Sequence, residues 1–144
     1  MIETFLLNFM RVAYDVTRAE RAFAVDTDLN ILGTLNIRPE AVEAPYMRSI
    51  QKALQDRKPL ITDNYTMALD PTRAPVTNQS FPKLRFVLIL PLADYGAICL
   101  DQSLHSGITS KDKVDRLSYF IEHLVQDQLI ELSEEELYDL YETM

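Results

Sequence analysis

The chain has 144 residues, 47% of them hydrophobic and 25% charged, with a formal net charge of −8. That apolar content excludes disorder as the main state, and no stretch approaches the roughly 18 uncharged apolar residues of a membrane span. The acidic balance works against nucleic acid and anionic lipid, whose binding rests on Lys and Arg meeting phosphate. Cys99 is the single cysteine, and His105 and His123 are the two histidines, so no intrachain disulfide can form and a Cys/His zinc site is disfavoured. Gly33, Gly96 and Gly107 lie far apart, whereas a phosphate-cradling loop needs clustered glycines. The N-terminus carries Glu3 before its apolar run and Arg11 within it, unlike a secretory signal, so the cytoplasm is the expected compartment.

Residues 2–19 have helical periodicity: Ile2, Phe5, Leu6, Phe9, Met10, Ala13 and Val16 recur at i, i+3, i+4, i+7. Leu7, Val12 and Tyr14 fall outside that stripe, so the apolar face is wider than one packing surface requires. Residues 22–26 and 31–37 read as a hairpin about a turn at Thr27-Asp28-Leu29-Asn30. Strict alternation would put Ile31, Gly33, Leu35 and Ile37 on one face, and Leu32, Thr34 and Asn36 on the other. A second helix is expected over 46–57, with Met47, Ile50 and Leu54 on one side, ended by Lys58-Pro59. Residues 60–63 read as a short edge strand.

Residues 64–82 show no lasting periodicity and hold Pro71, Pro75 and Pro82. A connection this long in a small domain is more often functional or mobile than filler. Residues 84–92 form the most apolar run, a central strand in which Pro91 belongs near the end or at a bulge. Asp94-Tyr95-Gly96 turns the chain into a partner strand at 97–101. A helix follows over 110–129, capped by Thr109 or Ser110, with Val114, Leu117, Ile121, Leu124 and Val125 as its stripe. Ser133 and Glu136 form a capping box for a last helix over 133–144, lined by Leu137, Leu140, Tyr141 and Met144.

The order is helix, hairpin, helix, strand, long loop, hairpin, helix. Three stretches resemble the GAF family, a small-molecule-sensing and dimerising fold related to PAS domains. Ile50 to Asn64, with Lys58-Pro59-Leu60-Ile61-Thr62-Asp63 at its centre, is similar to the family's amphipathic helix and "-gKPl-i-D" phrase. Leu84 to Leu92, followed by Tyr95 to Asp101, resembles its "S-l-vPL" strand and the strand after it. Ile108-Thr109-Ser110-Lys111-Asp112 resembles the "-ft-eD---l" start of its last helix. The resemblance covers residues 1–128 and leaves 129–144 as an acidic C-terminal helical tail. It implies an α/β (α+β) fold with a central antiparallel sheet of five or six strands, the first and last long helices on one face, and the second helix with the 64–82 loop on the other.

Departures narrow the chemistry. The NKFDE signature of cyclic-nucleotide-binding members has no counterpart, and the methionine sulfoxide reductases of the family need several cysteines. Bilin-binding members hold their chromophore through a pocket cysteine, whereas Cys99 lies in an expected strand. Between Ile98 and Leu100 it reads as a small buried hydrophobe. His123 has no second ligand at metal spacing. His105 with Ser103, Ser106 and Asp101 shares one short stretch, where triad geometry is seldom met. Glu134-Glu135-Glu136 suits a helix start and lacks the alternating ligands and loop glycine of a calcium site. No catalytic residue, metal ligand or cofactor emerges.

The expected function is therefore a non-enzymatic sensory or regulatory module. In it a small ligand sits between the sheet and the 64–82 loop, near Asp63, Asn64, Tyr65, Asn78 and Phe81, and a partner protein receives the signal. The alternative is a pure dimerisation or protein-interaction module whose pocket is filled by Met67, Phe81, Phe86 and their neighbours. The wide apolar face of residues 2–16, the stripe of 110–129 and the family resemblance point to a homodimer through the first and last long helices. The rival cover for that face is the tail helix.

Overall fold

A computed structural model describes residues 2–42, 44–61, 85–103 and 109–144. Helix α1 (Ile2–Thr17) leads into strands β1 (Arg21–Val25) and β2 (Ile31–Leu35). A 3-10 turn at Pro39–Ala41 precedes α2 (Ala44–Asp56) and β3 (Leu60–Ile61). Strands β4 (Arg85–Leu92) and β5 (Gly96–Ser103) are followed by α3 (Lys111–Gln126) and α4 (Glu134–Thr143). The strands form one antiparallel sheet in the order β2-β1-β5-β4-β3, with β5 at its centre. Among the described residues, four helices around a five-stranded antiparallel sheet make an α+β fold, consistent with a GAF-like architecture.

The sheet separates two cores. Ala22, Ala24, Leu88, Leu90, Ile98 and Leu100 face α1, α3 and α4. Phe23, Val25, Val87, Ile89, Ala97 and Cys99 face α2. On the first side Phe9 of α1 stacks on Phe120 of α3, ring centres 6.1 Å apart. Phe120 lies outside the expected stripe of α3 yet is fully buried, because α4 closes over it: Tyr141 meets its ring edge-on at 5.5 Å. On the second side Tyr46, Ile50 and Ala53 of α2 are buried, with Met47 and Leu54 only partly so.

The wide apolar face of α1 is taken up inside the chain. Leu7 lies on Gly33 of β2, where a Cβ would stand 2.4 Å from its Cδ2. The Tyr14 hydroxyl accepts from Asn36 at 2.8 Å. On the other flank α4 packs on α1 through the core that holds Leu137 and Tyr141. Leu140 is partly buried and Met144 is exposed, so the apolar line expected along 133–144 narrows to its first half and Tyr141.

Two local departures have clear causes. In β2, Ala24 pairs Gly33 but Val25 pairs Ile31, so Leu32 is an extra residue. This bulge breaks strict alternation: Ile31 joins the α2 side while Leu32 and Leu35 join the α1 side, against the expected grouping. Helix α1 ends at Thr17 rather than 19 because Arg18 is left-handed (φ 55), with Ala19 N–H donating to Tyr14 O at 3.1 Å. Gln128 closes α3 the same way (φ 55), Leu129 N–H reaching Leu124 O at 2.8 Å. Pro91 is the penultimate residue of β4, past the two residues that β3 pairs, so its missing N–H falls where no described strand lies alongside on that edge.

Candidate functional site

The expected ligand residues Asp63, Asn64, Tyr65, Asn78 and Phe81 lie outside the described residues, as do Met67 and His105. Phe86, expected to fill the pocket on the α2 side, belongs to the opposite core: it pairs Gln102 in the register and is buried among the α1-side residues. Strand alternation decides this, since its neighbour Val87 takes the α2 side.

The α2 side has one polar end. Along β1 its residues are Arg21, Phe23 and Val25; along β5 they are Asp101, Cys99 and Ala97, each directly opposite its partner. Five of these six are buried, four of them small or apolar, and Arg21 and Asp101 form the pair at the end. Arg21 Nη2 donates to Asp101 Oδ2. The Tyr46 hydroxyl, reaching in from α2, donates to the same oxygen at 2.7 Å. Tyr46 is held there by Phe23, whose ring it meets at 62° with centres 6.2 Å apart. Asp101 is 3% exposed and the Arg21 side chain 32%. The Nε of Arg21 is buried and has no hydrogen-bond partner among the described residues.

The electrostatics follow from this packing. Burial works against the Arg21 charge, but the Asp101 carboxylate and its hydrogen bond more than offset it, and the guanidinium holds its proton more tightly than usual. Burial pushes the Tyr46 phenol far up, and its hydrogen bond to Asp101 adds to this, so it remains a neutral donor. Burial likewise drives the Cys99 thiol well above 9.0, with the Asp101 charge adding to the effect. A fully enclosed thiol held protonated is a poor nucleophile. The cluster can orient a polar group by hydrogen bonds and charge; its phenol and thiol are both held away from proton transfer near neutral pH.

From sequence, Asp101 was weighed only beside His105 and Ser103 as a triad, and Arg21 and Tyr46 were not candidate site residues. The readable signal was a charge at the same end of two expected strands, on the faces of Phe23 and Cys99. Pairing them requires the β1–β5 register, which spans 80 positions.

Concave features lie elsewhere. A cavity of about 250 Å³ sits between α3 and the end of β4, walled by Pro91, Ile121 and Val125. Arg57, at its rim, pairs Asp94 at 2.6 Å with both side chains mostly in water, an arrangement that contributes little. His123 pairs Asp127 at 3.1 Å one turn along α3. Among the described residues no helix is long and apolar enough to cross a membrane.

No protein-family model and no curated protein sequence matches the chain. Among solved structures it is similar to Myxococcus xanthus MglB, at 10% identity and a TM-score of 0.46, over 99% of this chain and 91% of that one. It is also similar to the GAF domain/HD domain protein from Geobacter sulfurreducens, at 10% identity and a TM-score of 0.48, over 100% of this chain and 99% of that one.

Proposed function

We propose that the chain is a non-enzymatic sensory or regulatory module that holds a small ligand against the α2 side of its sheet and passes its state to a partner protein. The observation that carries this reading is the Tyr46–Asp101–Arg21 cluster at the end of an otherwise apolar sheet face. A few convergent polar groups beside apolar walls are what fixes a small molecule's orientation. Strand β4 begins and strand β5 ends at this end of the sheet, where Arg85 pairs Ser103. The buried, protonated Cys99 and the neutral Tyr46 support binding over catalysis.

A thermal-shift panel of nucleotides, amino acids and other metabolites tests the reading. A ligand present at 100 times its Kd stabilises by about 2.7 kcal/mol, which a melting curve resolves. The shift is expected to shrink in Asp101→Asn, and a binder indifferent to Asp101 and Tyr46 would move the site elsewhere.

The second reading is an interaction module with a filled pocket, pairing as a homodimer through α1 and α3. Its support is that Phe23, Val25, Ile50, Val87 and Ile89 are already buried within the chain. Pairing of α1 with α3 across a two-fold axis requires α4 to leave the core it shares with them, since Leu137 and Tyr141 lie there. Sedimentation of the full chain and of a chain ending at Gln128 separates the cases. Dimers in both support the bundle; a full-length monomer rejects it.

A further inference from the structure

A groove of about 560 Å³ runs between the first turns of α1 and the segment that enters α4. Ile130 and Leu132, both half-buried, make its apolar floor, with the buried Phe5 behind them. Its walls are fixed: Asn8 Nδ2 donates to Leu132 O at 3.4 Å, and the Ser133–Glu136 capping box sets the start of α4. Glu131 and Glu136 stand exposed on the rim. Across the first turns of α4 lies a second hollow of about 430 Å³, lined by Glu134, Glu135, Tyr138 and Asp139. Among the described residues no Lys, Arg or His lines either hollow, although the chain has 14 Lys and Arg.

Helix-dipole stabilisation accounts for the three glutamates of the first turn. It does not account for Asp139, a turn further on and four residues from Glu135, where like charges repel. Among the described residues neither Glu135 nor Asp139 has an ion-pair partner. We infer that this surface docks a basic amphipathic helix of a partner protein. The apolar stripe of that helix enters the groove over Ile130 and Leu132, and its Lys and Arg side chains meet Glu131, Glu135 and Asp139. Grooves bounded by helices take the apolar face of a helix, and the carboxylate rim selects a cationic one. The same rim excludes a second copy of this chain, because a two-fold axis would set carboxylates against carboxylates. The inference stands whether or not the α2 side holds a ligand.

Fluorescence anisotropy tests it with the full chain. The probe is a fluorescein-labelled Leu/Lys peptide of about 18 residues with leucines at i, i+3, i+4, i+7, compared with a scrambled peptide of identical composition. The amphipathic peptide is expected to bind at least about tenfold more tightly than the scrambled one. E131Q/E135Q/D139N should weaken it by about tenfold or more, while E40Q/D56N/D115N, which removes as many exposed charges elsewhere, should change it less than about twofold. Absence of binding, equal affinity for the scrambled peptide, or equal weakening by the two triple variants would each overturn the proposal. The peptide comparison needs no variant and so does not depend on how the substitutions fold.

Discussion

Asp101 accepts from two donors on one oxygen while 3% exposed, so the cost of removing it falls on its partners. Asp101→Ala leaves Arg21 and Tyr46 facing a gap. Since Arg21 keeps about a third of its side-chain surface in water, the loss should be roughly 2–4 kcal/mol rather than that of a fully buried ion. Tyr46→Phe removes one hydrogen bond to a carboxylate and keeps the ring on Phe23, so about 1–2 kcal/mol is expected. Urea titrations that rank Tyr46→Phe as the costlier change would contradict this assignment of the cluster. Backbone handedness gives a second pair of predictions with opposite signs. Gly96 has φ +152, and a Cβ there would stand 2.1 Å from Val25 O, so Gly96→Ala should cost roughly 3 kcal/mol or more. Gln128 is exposed at φ 55, a conformation that glycine adopts freely, so Gln128→Gly should stabilise by up to about 1 kcal/mol. Melting temperatures of the two variants should move in opposite directions.

Helix α4 is acidic along most of its length, yet it closes the α1-side core. Its start is set by the reciprocal bonds of Ser133 and Glu136, at 3.1 and 3.2 Å. Its end is held by Arg116 of α3, whose guanidinium donates to Tyr141 O at 2.6 Å and lies 4.5 Å above the Tyr141 ring. Between them Leu137 is fully buried. Leu137→Ala should therefore cost about 2–4 kcal/mol, a core value, against about 1 kcal/mol for Ser133→Ala. If Leu137→Ala proved no worse than the cap variant, α4 would be a loosely attached tail and not part of the core. The chemistry of this helix was legible in advance because capping is local: Ser133 and Glu136 are three residues apart. Its destination was legible only as one of two covers for the wide face of α1, because nothing within 133–144 says that Phe120 and Phe9 await it on other helices.

At the level of the whole molecule, the α2-side core sets an alkaline limit on stability. Cys99 and Tyr46 both hold their protons more tightly in the folded chain than their ordinary values of 9.0 and 10.0. The folded state thus binds more protons than the unfolded state once pH passes about 9, and stability declines from there upward. Below that pH their contribution is fully present. Urea unfolding between pH 7 and 11 should show this fall, with a shallower slope in Cys99→Ala/Tyr46→Phe; a profile that stays flat or rises would show that the two groups ionise as easily in the fold as outside it. For the described residues, element types and their order were legible in advance, since helical periodicity, strand runs and caps are written within a few residues of one another. The enclosure of Cys99 was legible too, from the apolar residues on either side. The tertiary structure alone decided which strand faces meet which helix. A single extra residue at Leu32 reversed part of β2, Phe86 went to the α1 side, and the β1–β5 register brought Arg21 to Asp101 across 80 positions. Such pairings depend on the relative placement of distant segments, which local propensity does not encode, and it is there that the Tyr46–Asp101–Arg21 cluster arises.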